Sequence, residues 1–308
     1  MERDISQRRL IDTAWFNKLC ILFVALMWGV SFVTMKGLVN EMPVFLLLAI
    51  RNAIASLALV VFLRGRIIRN SSPHTIAVGI GMGLLGFGAY GTQTVGLTMT
   101  TPGKSAFLTG CYCVMVPFLA WLFGQGRPGL RHVVAAVTCV CGIGLVAVDG
   151  GFPLNRGDVL SLVDGVFYGL QFVLLSGWGQ KDDPLVVSFW EFSVMSALSA
   201  LVSFVFEQGY VLPMPTFGDM ATMLFLGLVC SCLCFVLLNR AMTRVDPAEG
   251  SILSALEAPF GVLSSVLFYH ELITGRLVLG FALIFVAIII SEAGAELFAR
   301  AKRVARLA

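Results

Sequence analysis

The sequence predicts an all-α integral membrane protein of ten transmembrane helices, arranged as two inverted five-helix repeats. Three observations predict it. The 308 residues are 58% hydrophobic and 13% charged, with mean hydropathy +0.90. Soluble domains carry about 25% charge, so this much apolar surface has to sit in lipid. The apolar residues form continuous runs near the ~20 residues a helix needs to cross a bilayer, without the alternation of membrane β-strands. Five such runs fill residues 19–148 and five more fill 157–292. Five is odd, so the second set starts on the opposite face from the first, which makes the repeat inverted and places any shared site near the midplane.

In chain order, a polar segment (1–18) holds Arg3, Arg8, Arg9 and Lys18. The first repeat (19–148) has spans at 19–38, 43–63, 75–96, 101–122 and 130–148. The second (157–292) has spans at 157–176, 185–206, 219–238, 248–269 and 276–292. A basic tail (293–308) follows, with Arg300, Lys302, Arg303 and Arg306 placed to touch anionic head groups. Turn signals such as Asn40-Glu41-Met42-Pro43, Gly126-Arg127-Pro128-Gly129 and Asp182-Asp183-Pro184 separate the runs. No small-residue cleavage site follows the first span, which reads as an uncleaved helix. With the N-terminus inside, 16 of the 21 Lys and Arg residues fall on the inner face. Lys36, Lys104, Arg156 and Arg276 fall outside, and Arg51 lies within a span. That sorting obeys the positive-inside rule and puts both termini in the cytoplasm.

Composition excludes several functions. The net charge is +3, with no basic stripe and no zinc-finger spacing, so nucleic acid is not an expected partner. The eight cysteines lie in or at the ends of apolar runs and read as small packing residues. There is no P-loop, no H-E-x-x-H pair and no G-x-S-x-G elbow. The expectation is therefore no enzyme, no cofactor and no metal.

A set of short motifs stands in order along both halves: Gly29-Val30-Ser31-Phe32, Ala106-Phe107-Leu108-Thr109-Gly110, Val116-Pro117, Gly157-Asp158-Val159-Leu160, Leu256-Glu257-Ala258-Pro259 and His270-Glu271-Leu272-Ile273-Thr274, with Gly280 beyond. Together they resemble the EamA-type permeases of the drug/metabolite transporter superfamily, over roughly residues 19–292. The resemblance implies ten helices and export or exchange of small polar metabolites, amino acids or drugs. Three departures stand out. The glutamate common after the fourth helix is missing around Gly124-Gln125-Gly126, although Glu271 keeps it in the second half. A glutamine frequent in the seventh helix is Glu191 here, and one near the end of the eighth is Asn239.

Ionisable groups inside a span are costly and mark candidate sites. Arg51 lies eight residues into the second span, and Glu191 occupies nearly the matching place in the seventh. Opposite charges at matched places predict a zwitterion site, or an ion pair that breaks as the halves rock. Glu257 stands mid-span before Pro259, and Asp164 lies in the sixth span. Glu191, Glu257 and Asp164 are the coupling candidates. Pro117 and Pro259 interrupt corresponding helices as kinks or gates, because proline removes a backbone donor. Trp28, Ser31, Tyr90, Gln93, Thr109, Tyr112, Tyr168, Gln171 and Trp190 are the further substrate-cavity candidates. His270 and Glu271 read as a cap and hinge near the outer mouth.

The expected function is a secondary transporter of small molecules, working by alternating access around a cavity between the repeats. The partners are a small-molecule substrate, membrane lipid, and a proton or counter-substrate; the oligomeric state is open. A flippase on the same scaffold, and more remotely an intramembrane enzyme, are the alternatives. The expected location is a cell membrane, the inner one in a bacterium.

Overall fold

The computed structural model describes residues 14–124, 126–148, 154–209, 216–242, 244, 245, 250 and 253–305, with side chains 14, 147, 148 and 292–305 left out. Arg3, Arg8, Arg9, Gln125 and the basic tail side chains therefore lie outside the described residues. The described residues are helical, with no strand among them.

Several helices begin where the sequence supplies a cap. Helix α1 spans Ala14–Leu38, α2 Val44–Asn70 and α3 Pro73–Leu97. Ser72 caps α3 by accepting from the Thr75 amide, with Pro73 at the first helical position. Proline fits there because that amide has no helical partner. The next span is split into α4 (Pro102–Gly110) and α5 (Tyr112–Leu122), with Thr101 capping α4. Helix α6 is Leu130–Val148. Helix α7 (Arg156–Gly177) starts with a reciprocal capping box between Asn155 and Asp158. Asp183 caps α8 (Pro184–Phe206), and Thr216 with Asp219 caps α9 (Phe217–Leu224). A π-helical segment, Phe225–Leu233, joins α9 to α10 (Cys234–Met242). Helix α11 is Glu257–Tyr269 and α12 is Gly275–Ala305.

Among the described residues, seven helical stretches are long and apolar enough to cross a membrane: Trp15–Leu38, Val44–Asn70, Pro73–Leu97, Pro102–Leu122, Arg156–Gly177, Pro184–Phe206 and Phe217–Met242. Three shorter apolar helices accompany them, Leu130–Val146, Leu253–Tyr269 and Gly275–Ser291.

Three features differ from expectation. Helix α2 breaks at Leu63 (φ −126°, ψ 15°), where the expected span ends, but a further helical segment runs on to Asn70, with Arg66 bonded to Asp183, the cap of α8. The break in the fourth span lies at Cys111, not at Pro117, which sits inside α5. The carbonyl that Pro117 leaves without a helical donor is that of Cys113, and Ser291 of α12 donates to it. Pro259 lies in the first turn of α11, where it is tolerated, and the irregular residue is Leu256 just upstream.

Packing depends on small residues. Helix α3 lies between α7 and α8: a Cβ on Gly79 or Gly83 would collide with Trp190 or Val194 of α8, and one on Gly88 with Phe167 of α7. Helices α6 and α12 touch through Gly142 and Gly280, each of whose Cβ positions lies within 2.9 Å of the other's carbonyl oxygen. Such close approach is what glycine permits between membrane helices.

Candidate functional site

A cavity of about 260 Å³ lies among α1–α5, α7, α8, α10 and α11. Its wall includes Arg51, Glu191, Glu257, Trp28, Ser31, Tyr90, Gln93, Thr109, Tyr112, Tyr168 and Gln171. Those are the substrate-cavity candidates of the sequence, with one exception. Trp190 faces away from the cavity, packs on Gly79, and donates its Nε1 to Ser71 Oγ at 3.0 Å. Its neighbour Glu191 turns the other way because adjacent helical residues point about 100° apart.

Arg51 is 3% exposed. Its Nε donates to Ser231 Oγ at 3.2 Å, and its guanidinium carbon stands 4.7 Å from the Tyr90 ring centre, within cation–π range. No carboxylate lies within 4.0 Å of it among the described residues. Glu191 accepts from Gln171 Nε2 at 2.7 Å, and the same amide nitrogen donates to the Met82 carbonyl. The expected Arg51–Glu191 ion pair is thus not formed: both groups line the cavity, each held by neutral neighbours. Glu257 is partly exposed on the wall and accepts no hydrogen bond from a described residue.

Asp164 stands behind the wall, fully buried. Its Oδ2 accepts from Gln93 Nε2 at 3.0 Å and Thr109 Oγ1 at 2.6 Å, tying α3, α4 and α7 together, while Oδ1 has no partner. Tyr112 stacks on Phe172 at 5.3 Å between ring centres, and Tyr168 lies 5.9 Å from Tyr112 and 6.1 Å from Tyr90. The wall is therefore aromatic, with one cation and two carboxylates set into it.

Other cavity residues were not among the substrate-cavity candidates of the sequence, although Asn239 stood out there as a departure from the family pattern. Phe235, Leu238, Asn239 and Met242 of α10 contribute to the wall, as does Ser254. Ser231, Phe235 and Asn239 recur every four residues, so they share a helix face; that spacing was the available signal. The π-helical turn carrying Ser231 has no signature in its run of apolar residues.

The two ends of the cavity differ. At one end Glu271 accepts from Thr101 Oγ1, Gly103 N and Ser265 Oγ. Asp158 accepts from Thr100 Oγ1, Asn155 Nδ2 donates to the Met99 carbonyl, and Ser105 bonds Ser161. Lys36 Nζ donates to the Leu97 carbonyl beside the Tyr269 ring. His270 ends α11 in the left-handed conformation (φ 54°), as a cap residue would. The cavity wall extends toward the other end, where α7 stops at Gly177 and α10 at Met242. There Asp183 accepts from Arg66 and Asn70, and Thr75 Oγ1 donates to Asp182 at 2.6 Å.

Fold and cavity together define a multi-pass, all-helical membrane protein with a polar site enclosed among its helices. The model of the EamA-like transporter family matches the chain twice, over residues 16–148 and 155–292. The chain belongs to that family and is a membrane transporter of the drug/metabolite type. It is 27% identical over 276 residues to an uncharacterized transporter of Archaeoglobus fulgidus, covering 89% of this chain and 85% of that one. It is 24% identical over 275 residues to the uncharacterized transporter YoaV of Bacillus subtilis, covering 86% and 92%. A solved crystal structure superposes with a TM-score of 0.64 at 20% identity, covering 93% of this chain and 99% of that one; it shows the shared fold.

Proposed function

We propose that the protein is a secondary transporter that moves a small metabolite, amino acid or drug by alternating access, as an exporter or exchanger. In this reading ten spans form two inverted repeats, 19–148 and 157–292. Even the 17-residue helices reach roughly 25 Å at 1.5 Å per residue, near the bilayer core. Contacts support the repeat. Helices α2 and α8, α4 and α11, and α6 and α12 pair as equivalents, and the contact of α3 with α7 has its counterpart in that of α10 with α1. Arg51 and Glu191 are each the eighth residue of their paired helices.

The observation that carries the proposal is the cavity itself, built from both repeats, holding charges of both signs, and closed at the Glu271 end by hydrogen bonds between repeats. Arg51 takes the anionic part of the solute, and Glu191 and Glu257 take a cationic part. The aromatic wall covers its apolar body, a division of labour common in small-molecule sites. Glu191, Glu257 and Asp164 are the groups through which a proton would couple. By the positive-inside rule the Glu271 end faces out, both termini face the cytoplasm, and the membrane is the inner one of a bacterium.

The test is flux in proteoliposomes across a panel of metabolites, with and without an imposed pH gradient. Solute uptake is expected, faster from the side that the cavity faces. Flux unchanged by the gradient removes proton coupling. Flux with no saturation, or no flux across a broad panel, removes the carrier mechanism.

A further inference from the structure

The π-helical turn Phe225–Leu233 converges on the cavity's only charged group of positive sign among the described residues. A guanidinium has five N–H donors. Those of Arg51 meet Ser231 Oγ at 3.2 Å and, at the limit of a hydrogen bond, Tyr90 Oη at 3.5 Å. Both partners are neutral. Four residues before Ser231, a Cβ on Gly227 would lie 2.6 Å from Ile54 Cγ2 and 3.1 Å from the Arg51 carbonyl oxygen. A side chain there would push the turn off α2. Between them, the Cys230 carbonyl accepts from Trp28 Nε1 at 2.8 Å. One turn thus touches the Arg51 backbone, orients the Arg51 side chain and orients the Trp28 ring.

π-Helical turns are rare and frequently lie at functional sites. A neutral hydroxyl directs a guanidinium without cancelling its charge, whereas a carboxylate would use that charge up. A buried cation left in this state gains from an oxyanion, and the planar fork matches a carboxylate or phosphate edge. We propose that the Phe225–Leu233 turn is the positioning element for solute recognition, with Ser231 as the positioning residue that keeps Arg51 uncompensated and aimed at an oxyanion group of the substrate. This rests on the cavity being the solute site.

The experiment is calorimetric titration of the purified protein in detergent with phenylacetate and with phenylacetamide, its neutral amide. Wild-type protein is expected to prefer the carboxylate. Ser231→Ala, and independently Gly227→Ala, lower carboxylate affinity about threefold to tenfold, the scale of one ordinary hydrogen bond. Amide affinity falls less than carboxylate affinity in both variants. Ser231→Thr restores the hydroxyl and the affinity, and Ser231→Ala adds nothing in an Arg51→Gln background. Equal losses for both ligands, or an additive loss with Arg51→Gln, overturn the positioning role. Wild-type protein that binds both ligands equally, or neither up to their solubility, overturns the oxyanion site. Carboxylate preference without flux in proteoliposomes retires the transport mechanism and leaves this assignment standing; flux without the preference does the reverse.

Discussion

Arg51 and Glu191 show how far a single residue can be read. Each is an ionisable side chain in an apolar run, so each was conspicuous without coordinates. Their partners were not, because partners come from distant helices: Ser231 lies 180 residues from Arg51. Arg51→Gln is expected to weaken binding of an oxyanion-bearing solute by about tenfold or more, the loss of a charge-assisted hydrogen bond. Titration of the same solute against the variant checks it. Asp164 has a structural duty as well as a proposed coupling one. Asp164→Leu leaves the Gln93 and Thr109 donors without their acceptor and is expected to cost about 1–3 kcal/mol for each buried group. Asp164→Asn keeps one carbonyl acceptor and costs less. Thermal unfolding in detergent orders the two. Trp190 marks the limit of composition as a guide. It has the same chemistry as Trp28, but its place on α8 turns it to Ser71.

At the scale of elements, caps and prolines announced several helix starts, since an N-terminal amide has only local groups to satisfy it. Where helices end was less legible. The apolar stretch of α2 ends at the break at Leu63, but the helical segment beyond it carries an ion pair from Arg66 to Asp183, the cap of α8, and hydropathy cannot register that. This pair gives a pH test. Burial by itself raises the Asp183 carboxyl, but the bonds from Arg66 and Asn70 outweigh it and hold the group below its ordinary value. A depressed folded-state pKa stabilises the protein above the unfolded value near 4 and loses that contribution as pH falls through the folded value. Wild-type thermal stability is therefore expected to decline below about pH 4 more than that of Asp183→Asn, as unfolding scans from pH 3 to 7 would show. The α6–α12 contact makes a second test. Gly280→Leu cannot fit against the Gly142 backbone and is expected to separate those helices, lowering the unfolding temperature. A Leu at Gly144, where a Cβ meets nothing within 4 Å, is expected to be silent.

Across the whole molecule, the two ends of the cavity are unequal. Glu271 gathers three donors, from Thr101, Gly103 and Ser265, and so fastens α11 and the residues after it to the start of α4. The stretch that follows α5, residues 123–131, contains no carboxylate. Glu271→Ala is therefore expected to shift the resting population toward opening at this end. A cysteine placed at Ser161, buried there beside Ser105, would react faster with an impermeant thiol reagent from the Glu271 side in that variant. An unchanged rate would mean that the clamp does not set the resting state. The sequence by itself determined the all-helical membrane class, the family and the charged side chains that line the cavity, because lipid admits polar groups only where they are satisfied or useful. Tertiary structure decided what those residues do to one another: which face the cavity, which lie behind it, and which are tied together by Glu271. Those outcomes depend on contacts across helices far apart in the chain, and in the π-helical turn on a backbone geometry that an apolar run does not encode.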